Sequence, residues 1–158
     1  MWKPSKSKFG NKKITTADGT FDSKLEWHRW LFLKEAEKNG QIRALRRQVK
    51  YTLIPAQYKP VEVKLKTKTK VVDKLVTRAV TYTADFVYEK PTGEKIGVDV
   101  YKRIDGEMLV ERVPQEIFVR VVEDAKGKPN DRWSMKKALM LSVHHIEVRE
   151  VKKPTEPI

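Results

Sequence analysis

The stretch EIFVRVVEDAKG, residues 116–127, joins the pattern of a β-strand to a cluster of charged side chains at its end. Its β-branched and aromatic residues favour a strand, and the final glycine favours a stop. Because side chains alternate along a strand, Asp124 and Lys126 should share one face, roughly 7 Å apart, with Glu123 on the other. The stretch therefore predicts a strand whose end presents an acid and a lysine together.

A second acid interrupts another apolar strand, because Asp85 lies in the middle of TYTADFVY. A carboxylate there needs a partner, since burying an unpaired charge is costly. A divalent cation held between Asp85 and Asp124 would supply one, and the carbonyl oxygen of Ala125 is a further candidate ligand for a hard cation. Lys126 would then stabilise charge on a phosphate or orient an attacking water.

The rest of the chain predicts a single α/β domain with a central mixed sheet flanked by helices. A first helix begins after Ser23, which has the capping-box partner Glu26 three residues later. Several strands follow, with a turn at PTGE, a returning strand KIGVDVYKR and an Asp-Gly hairpin turn in IDGEM. Pro114 marks a break or bulge between the next two strands.

A second helix is predicted in RWSMKKALMLSVHH, followed by a short last strand. Asp131 is its expected cap, and Met135, Ala138, Leu139 and Ser142 fall on one side. We divide the chain into a basic N-terminal arm (1–20), a folded domain (21–151) and a polar tail (152–158).

The balance of charge points to a polyanionic partner. Thirty-four basic residues against twenty-one acidic ones give a formal net charge of +13, which most often indicates nucleic acid. The chain has no cysteine, which excludes disulfides and thiolate metal sites. It has no apolar run of signal-peptide or membrane-spanning type, so we expect a cytoplasmic protein. The candidate nucleic-acid contacts are Lys12, Lys13, Arg43, Arg46, Arg47, Lys136 and Lys137.

Four short motifs, in this order, resemble the PD-(D/E)XK nuclease superfamily, and within it small phage-encoded proteins related to Holliday-junction resolvases. They are FGNKK near the start, FDSKLEW in the first helix, YTADFVY in a strand and VVEDAKG before the second helix. The resemblance implies a restriction-endonuclease-like core and an active site of Glu26, Asp85, Asp124 and Lys126. It further implies phosphodiester cleavage with magnesium or manganese, held by Asp85 and Asp124 with help from Glu26 and Ala125, and a homodimer acting on branched DNA.

Several alternatives remain open at this point. Asp85 and Asp124 are separated by more chain than the superfamily pattern has, which we interpret as an inserted hairpin at about 96–115. In a rival alignment without an insertion, Asp99 replaces Asp124. Asp85 can instead pair with an arginine, Arg78 or Arg120, and Glu26 can be a helix cap alone. The protein can also be a non-catalytic nucleic-acid-binding module on a degenerate nuclease fold, or a nuclease of other specificity.

Overall fold

A computed structural model describes residues 13–126 and 130–158. The structure is mixed α/β, with mostly strands, two helices and one mixed sheet. The strands are β1 (Ile14–Thr16), β2 (Gly19–Phe21), β3 (Arg43–Ile54), β4 (Gln57–Lys64), β5 (Thr69–Thr77), β6 (Val80–Ile104), β7 (Glu107–Ala125) and β8 (Val148–Val151), and the helices are α1 (Lys24–Lys38) and α2 (Asp131–His144).

The central sheet has four strands in the order β3-β6-β7-β8. β3, β6 and β7 are antiparallel, whereas β7 and β8 are parallel and are connected through α2. Helices cover both faces. Phe86 and Tyr88 of β6 pack in one apolar cluster with Leu33 of α1, and Val87 between them packs in another with Met140 of α2. The predicted arrangement of a mixed sheet flanked by helices is therefore confirmed.

β6 and β7 form one long hairpin rather than the four shorter strands that the sequence predicts. The PTGE segment does not reverse the chain: it forms an irregularity in the ladder between Pro91 and Lys95, after which β6 continues. The reversal comes at Asp105 and Gly106, which have φ of 53° and 88°, as the Asp-Gly signal predicts. The segment 96–115 lies in the outer part of this hairpin.

Pro114 does not break β7, because it pairs with Gly97 inside the ladder. The outer part of the hairpin has only two strands, so each strand keeps one open edge, where a proline costs no ladder hydrogen bond. The predicted break or bulge at Pro114 is therefore wrong, because the register of β6 and β7 is regular there.

The helix ends follow side-chain capping, with one difference from the sequence prediction. Ser23 caps α1 as expected, and its Oγ accepts from the Glu26 backbone N–H. α2 is capped by Asn130, whose side chain accepts from the Trp133 N–H, rather than by Asp131. Asp131 instead supplies negative charge in the first turn, which favours the helix dipole.

The two ends of the described chain both contact the folded domain. Within the arm assigned to 1–20, β1 begins at Ile14 and pairs with β2. The tail assigned to 152–158 returns to α1, where Nη1 of Arg29 donates to the carbonyl oxygens of Pro154 (3.1 Å) and Glu156 (2.6 Å). Ile158 packs against the α1 cluster.

Candidate active site at the ends of β6 and β7

The register of the central hairpin brings the two predicted acids opposite each other. Phe86 pairs with Glu123 at the end of the ladder, and Asp85 and Asp124 are the next residues on the two strands. The Ala125 backbone N–H donates to Oδ2 of Asp85 at 2.9 Å, which fixes that carboxylate against the end of β7. Two acids that are 39 positions apart in sequence therefore face each other across adjacent strands.

The regular alternation of β6 is interrupted at Asp85. Tyr82 and Ala84 pack in the α2 cluster, whereas Phe86 and Tyr88, at the same even spacing, pack in the α1 cluster. Opposite Asp85, Gln48 of β3 has a φ of 51°, a left-handed conformation that is uncommon for residues other than glycine. Nε2 of Gln48 donates to Oδ1 of Asp85 at 3.2 Å. The strand pair is thus locally distorted where the carboxylate is presented.

Asp124 is buried and its two oxygens have different surroundings. Oδ2 accepts from the Tyr82 hydroxyl at 2.9 Å and from Nε1 of Trp133 at 2.8 Å. Burial raises the pKa of Tyr82, so its hydroxyl stays protonated and donates. Oδ1 is buried without a hydrogen bond and lies 3.4 Å from Nζ of Lys126. Asp124 is therefore held by neutral donors on one oxygen, while the other oxygen faces a cation.

Asp85 is half-buried and electrostatically coupled to the other acids. Burial, and then the negative charges of Asp124 and Glu26, raise its pKa to about 8, although the hydrogen bond from Ala125 opposes the shift. Close carboxylates cannot all ionise without cost, so one of them retains a proton unless a cation is present. This behaviour is typical of carboxylate sites that bind a metal or share a proton.

Glu26 takes part in the capping box and also lies within the electrostatic reach of the cluster. Its oxygens accept from the Ser23 hydroxyl at 3.3 Å and from the Asp22 backbone N–H at 3.1 Å. Burial raises its pKa, while the charge of Lys126 lowers it. The four residues that the resemblance selects therefore lie in one neighbourhood, with Glu26 the most fully engaged in local structure.

Glu123 lies on the opposite face of β7, as the alternation predicts. It forms a two-point ion pair with Arg29 of α1, at 2.7 and 2.9 Å, and accepts from the Tyr88 hydroxyl at 2.7 Å. Both Glu123 and Arg29 are fully buried. This neighbouring acid therefore connects α1 to the sheet and does not face Asp85.

Asp99 is far from the carboxylate cluster. It lies fourteen residues beyond Asp85 on the same strand, roughly 40 Å at the rise of an extended chain. Its side chain is 53% exposed and is 4.0 Å from Arg112 in the outer hairpin. Asp99 is therefore too far from Asp85 for the two carboxylates to share one cation in this structure. The arginine alternative also fails, because Asp85 accepts from Gln48 and Ala125 instead.

Three of the basic residues predicted to bind nucleic acid are engaged within the protein. Lys13 pairs with Asp22 at 3.1 Å, and Arg43 pairs with Glu89 at 2.9 Å. Arg47 donates to backbone carbonyls of the β1–β2 turn and stacks on an aromatic ring. Of the others, Arg46 is exposed, Lys136 and Lys137 are half-buried along α2, and Lys12 lies outside the described residues.

Sequence reasoning missed two of the three residues that hold the acids in place. Trp133 is interpretable from the sequence only as a core or interface anchor, yet its indole N–H binds Asp124. Tyr82 carries no signal beyond strand propensity, whereas Gln48 is interpretable from the sequence as a polar residue near the site, and it donates to Asp85. Tyr82 could be assigned to the site from the sequence only if the interruption of β6 at Asp85 were already known.

The donor set suits a hard cation bound by few protein ligands. Among residues 13–126 and 130–158, no group of three or more histidine, cysteine, aspartate or glutamate side chains is arranged to hold a metal ion. Magnesium, however, commonly binds through one or two carboxylates and completes its shell with water and phosphate oxygens. The opposed Asp85 and Asp124, with the unbonded Oδ1 of Asp124, fit that smaller requirement.

No helix in the described part of the chain combines the length and apolar character needed to cross a membrane.

Comparison with known proteins identifies a family. No curated protein and no solved structure matches the chain significantly. A family model described as "Protein of unknown function (DUF1064)" matches residues 6–118, well over half of the chain, including Glu26 and Asp85. The chain therefore belongs to the DUF1064 family.

Proposed function

We propose that this protein is a metal-dependent endodeoxyribonuclease of the PD-(D/E)XK type, with a restriction-endonuclease-like core. The observation that carries the proposal is the proximity of Asp85 and Asp124, in which the Ala125 N–H beside Asp124 donates to Asp85 at 2.9 Å and Nζ of Lys126 lies 3.4 Å from Oδ1 of Asp124. Two acids and a lysine at the ends of adjacent strands can hold Mg²⁺ or Mn²⁺ and stabilise the charge that develops during phosphodiester hydrolysis. The net charge of +13 supports a nucleic-acid substrate.

Each residue has a role that its surroundings support. Asp85 and Asp124 would hold the cation, with the Ala125 carbonyl as a further ligand. A bound cation supplies charge stabilisation at the phosphate and a more acidic water. Lys126 contributes a positive charge beside the scissile phosphate and orients the attacking water. Glu26 adds negative charge that favours cation binding and can act through water.

Tyr82 and Trp133 position the site without touching the substrate. Their two hydrogen bonds to Oδ2 of Asp124 fix the carboxylate plane, so that Oδ1 stays directed toward Lys126. Preorganised ligands of this kind avoid the cost of reorienting when charge develops. Branched DNA, cut by a homodimer whose two-fold symmetry matches a four-way junction, is the substrate class that we propose.

Cleavage assays on defined DNA test this proposal. Four-way junction, flap, linear duplex and supercoiled plasmid are incubated with magnesium, manganese, calcium or chelator. We expect nicking or cutting with magnesium and manganese, greatest on the junction, and loss of cutting by at least about a hundredfold in Asp124→Asn. Asp99→Asn, the same change on the exposed hairpin, is the matched control and should cut normally. A wild-type protein inactive on all four substrates with both metals would refute the proposal.

A non-catalytic nucleic-acid-binding protein is the second candidate. The engagement of both Glu26 oxygens in the capping box favours it, because that leaves two acids rather than three free to bind metal. Junction binding without any nicking in magnesium or manganese would select this function over the first.

A further inference from the structure

The second two-stranded sheet of the protein is a separate ribbon with an unusual charge. β4 and β5, of eight and nine residues, pair with each other and not with the central sheet. The turn between them is closed by a hydrogen bond from the Leu65 N–H to the Lys68 carbonyl at 2.8 Å. A ribbon of this length extends roughly 27 Å from its base. A two-stranded sheet alone is marginally stable in water, so a partner that contacts its surface would stabilise it.

Lysines dominate the ribbon, from Gln57 to Thr77. It carries six lysines against two acids, a net charge of +4. All six lysines are exposed, and none forms an ion pair among the described residues. The lysines are Lys59, Lys64, Lys66, Lys68, Lys70 and Lys74.

The outer β6–β7 hairpin is a natural comparison, because it is also an exposed two-stranded ribbon. Its charges nearly cancel, with four basic residues against five acids between Lys95 and Glu116. They also pair across the strands: Nζ of Lys102 lies 2.6 Å from a carboxylate oxygen of Glu111. Exposure on a ribbon therefore does not by itself produce an uncompensated charge in this protein.

The register separates the β4–β5 charges onto two faces. Residues directly opposite in an antiparallel pair share a face. Lys59 lies opposite Lys74, and Val63 lies opposite Lys70, with two half-buried valines between them. Both acids lie on the other face, where Glu62 opposes Val71 and Asp73 opposes Pro60. We call the face with Lys59, Lys70 and Lys74 the basic face.

The charges of the basic face destabilise the ribbon that carries them. Like charges directly opposite one another destabilise a strand pair, and no acid on this face offsets Lys59 and Lys74. A polyanion laid along the face would remove that repulsion and release counterions. The arrangement therefore favours a phosphate backbone over an apolar partner or a second copy, whose own basic face would repel this one.

We propose that the basic face of the β4–β5 ribbon binds double-stranded DNA, with the ribbon lying in or along the major groove. The major groove of B-form DNA admits a two-stranded β-ribbon, whereas the deep, narrow major groove of A-form RNA does not. This inference rests on the proposed function for its choice of DNA, and it adds a second DNA contact, separate from the residues that would cut. The ribbon would set where the duplex lies relative to Asp85 and Asp124.

Two triple variants with the same change in charge test the ribbon. The first is Lys59→Gln with Lys70→Gln and Lys74→Gln. The control is Lys38→Gln with Lys152→Gln and Lys153→Gln, three exposed lysines outside the ribbon. Fluorescence anisotropy measures binding to a short DNA duplex and to an RNA duplex of the same sequence, in calcium, over a range of KCl concentrations.

We expect the ribbon triple to lose DNA affinity by at least about tenfold. The steepness with which log affinity falls with log salt should decrease by about 2 to 3. The control triple should change both quantities much less, and wild-type protein should prefer the DNA duplex. Thermal unfolding should show that the ribbon triple is folded and no less stable, since the Lys59–Lys74 repulsion is relieved.

Other outcomes overturn the inference. Equal losses in both triples would show that only net charge matters, and equal affinity for RNA would remove the groove argument. Unchanged DNA affinity together with an altered molar mass in light scattering would make the basic face a contact between copies. A cleavage assay separates this inference from the proposed function. If the wild type cuts DNA and the ribbon triple binds DNA as tightly as the wild type does, DNA binding by the basic face is refuted and the nuclease function is not. If binding depends on the ribbon but the wild type does not cut, the nuclease function is refuted and DNA binding by the basic face is not.

Discussion

Replacing Asp85 by asparagine should stabilise the metal-free protein, and the gain should grow as the pH rises. Below about pH 4 the Asp85 carboxyl is protonated in both the folded and the unfolded chain. Burial and the neighbouring acids raise its folded pKa to about 8. Between these limits the folded protein holds a proton that the unfolded chain has released, so raising the pH lowers the free energy of unfolding. An asparagine has no charge to desolvate and escapes this loss.

The size of the gain follows from the shift. One pKa unit corresponds to about 1.4 kcal/mol, so ionisation of a group with an ordinary pKa near 3.8 and a folded pKa near 8 costs at most about 4 kcal/mol by pH 7. Because Asp85 is half-buried, so that solvent weakens these effects, we expect about 2 to 4 kcal/mol. The new amide keeps the local hydrogen bonds, since its oxygen can accept from Ala125 and its NH₂ can donate to a turned Gln48 amide.

Urea unfolding of wild type and Asp85→Asn, in chelator between about pH 5 and pH 8, measures the difference. Asp99→Asn, which changes an exposed acid, should follow the wild-type pH profile. Adding magnesium at pH 8 should stabilise the wild type and not Asp85→Asn, because a cation replaces the retained proton. A free-energy difference that is constant with pH, or an Asp85→Asn variant less stable than wild type at pH 8, would refute the electrostatic reasoning.

Three further substitutions give sharp expectations. Trp133→Phe removes one of the two donors to Asp124 and should lower the free energy of unfolding by about 2 kcal/mol and the cleavage rate by about tenfold; an unchanged rate would argue against positioning. Arg29→Met leaves the buried Glu123 with only the partly exposed Arg149, 3.4 Å away, as a cationic partner and should cost about 3 kcal/mol in urea unfolding, against less than about 1 kcal/mol for Lys102→Met in an exposed pair. Asp124→Asn should abolish the magnesium-dependent rise in Tm, and a rise equal to that of wild type would remove Asp124 from the ligands.

Local sequence signals predicted the parts of the site that depend on one strand or one turn. The period of two along β7 separated Asp124 from Glu123 correctly, and the contacts of the two side chains lie on opposite faces. The Ser23 capping box and the Asp105–Gly106 turn were also predictable, because each depends on residues a few positions apart.

The path of β6 could not be predicted, because it depends on pairing between distant residues. PTGE has the composition of a turn, and Gly93 does adopt a φ of 82°. The segment is nevertheless held within the ladder, where the Thr92 hydroxyl donates to the Ile117 carbonyl at 3.1 Å. The same residues suit a tight turn and an irregularity in a ladder, and only the partner strand distinguishes the two.

The side of α2 that the sequence groups together only partly coincides with the buried side, for a similar reason. Of its residues, Leu139 packs against the core and Met135 is 65% exposed, while Trp133 and Met140 are the buried residues. Apolar residues occur around much of this helix, so its periodicity defines the inward face weakly. The hydrogen bond from Trp133 to Asp124 requires the tryptophan side to face the sheet. This contact at the candidate site cannot be seen in the local pattern, and it accompanies the observed rotation of the helix.

The contrast between Glu123 and Asp124 is the strongest structural reason to expect a cation at this site. Both acids are buried at the end of β7, and a buried charge needs compensation. Glu123 is held by a two-point bond from the fully buried Arg29, a further bond from Tyr88, and Arg149 at 3.4 Å. Asp124 receives only neutral donors on one oxygen, and its other oxygen faces the flexible, 39% exposed side chain of Lys126. If Asp124 served only to stabilise the fold, a buried partner, such as Arg29 is for Glu123, would stabilise it more than Lys126 does. The exposed lysine instead favours an Asp124 carboxylate that stays available to bind a cation.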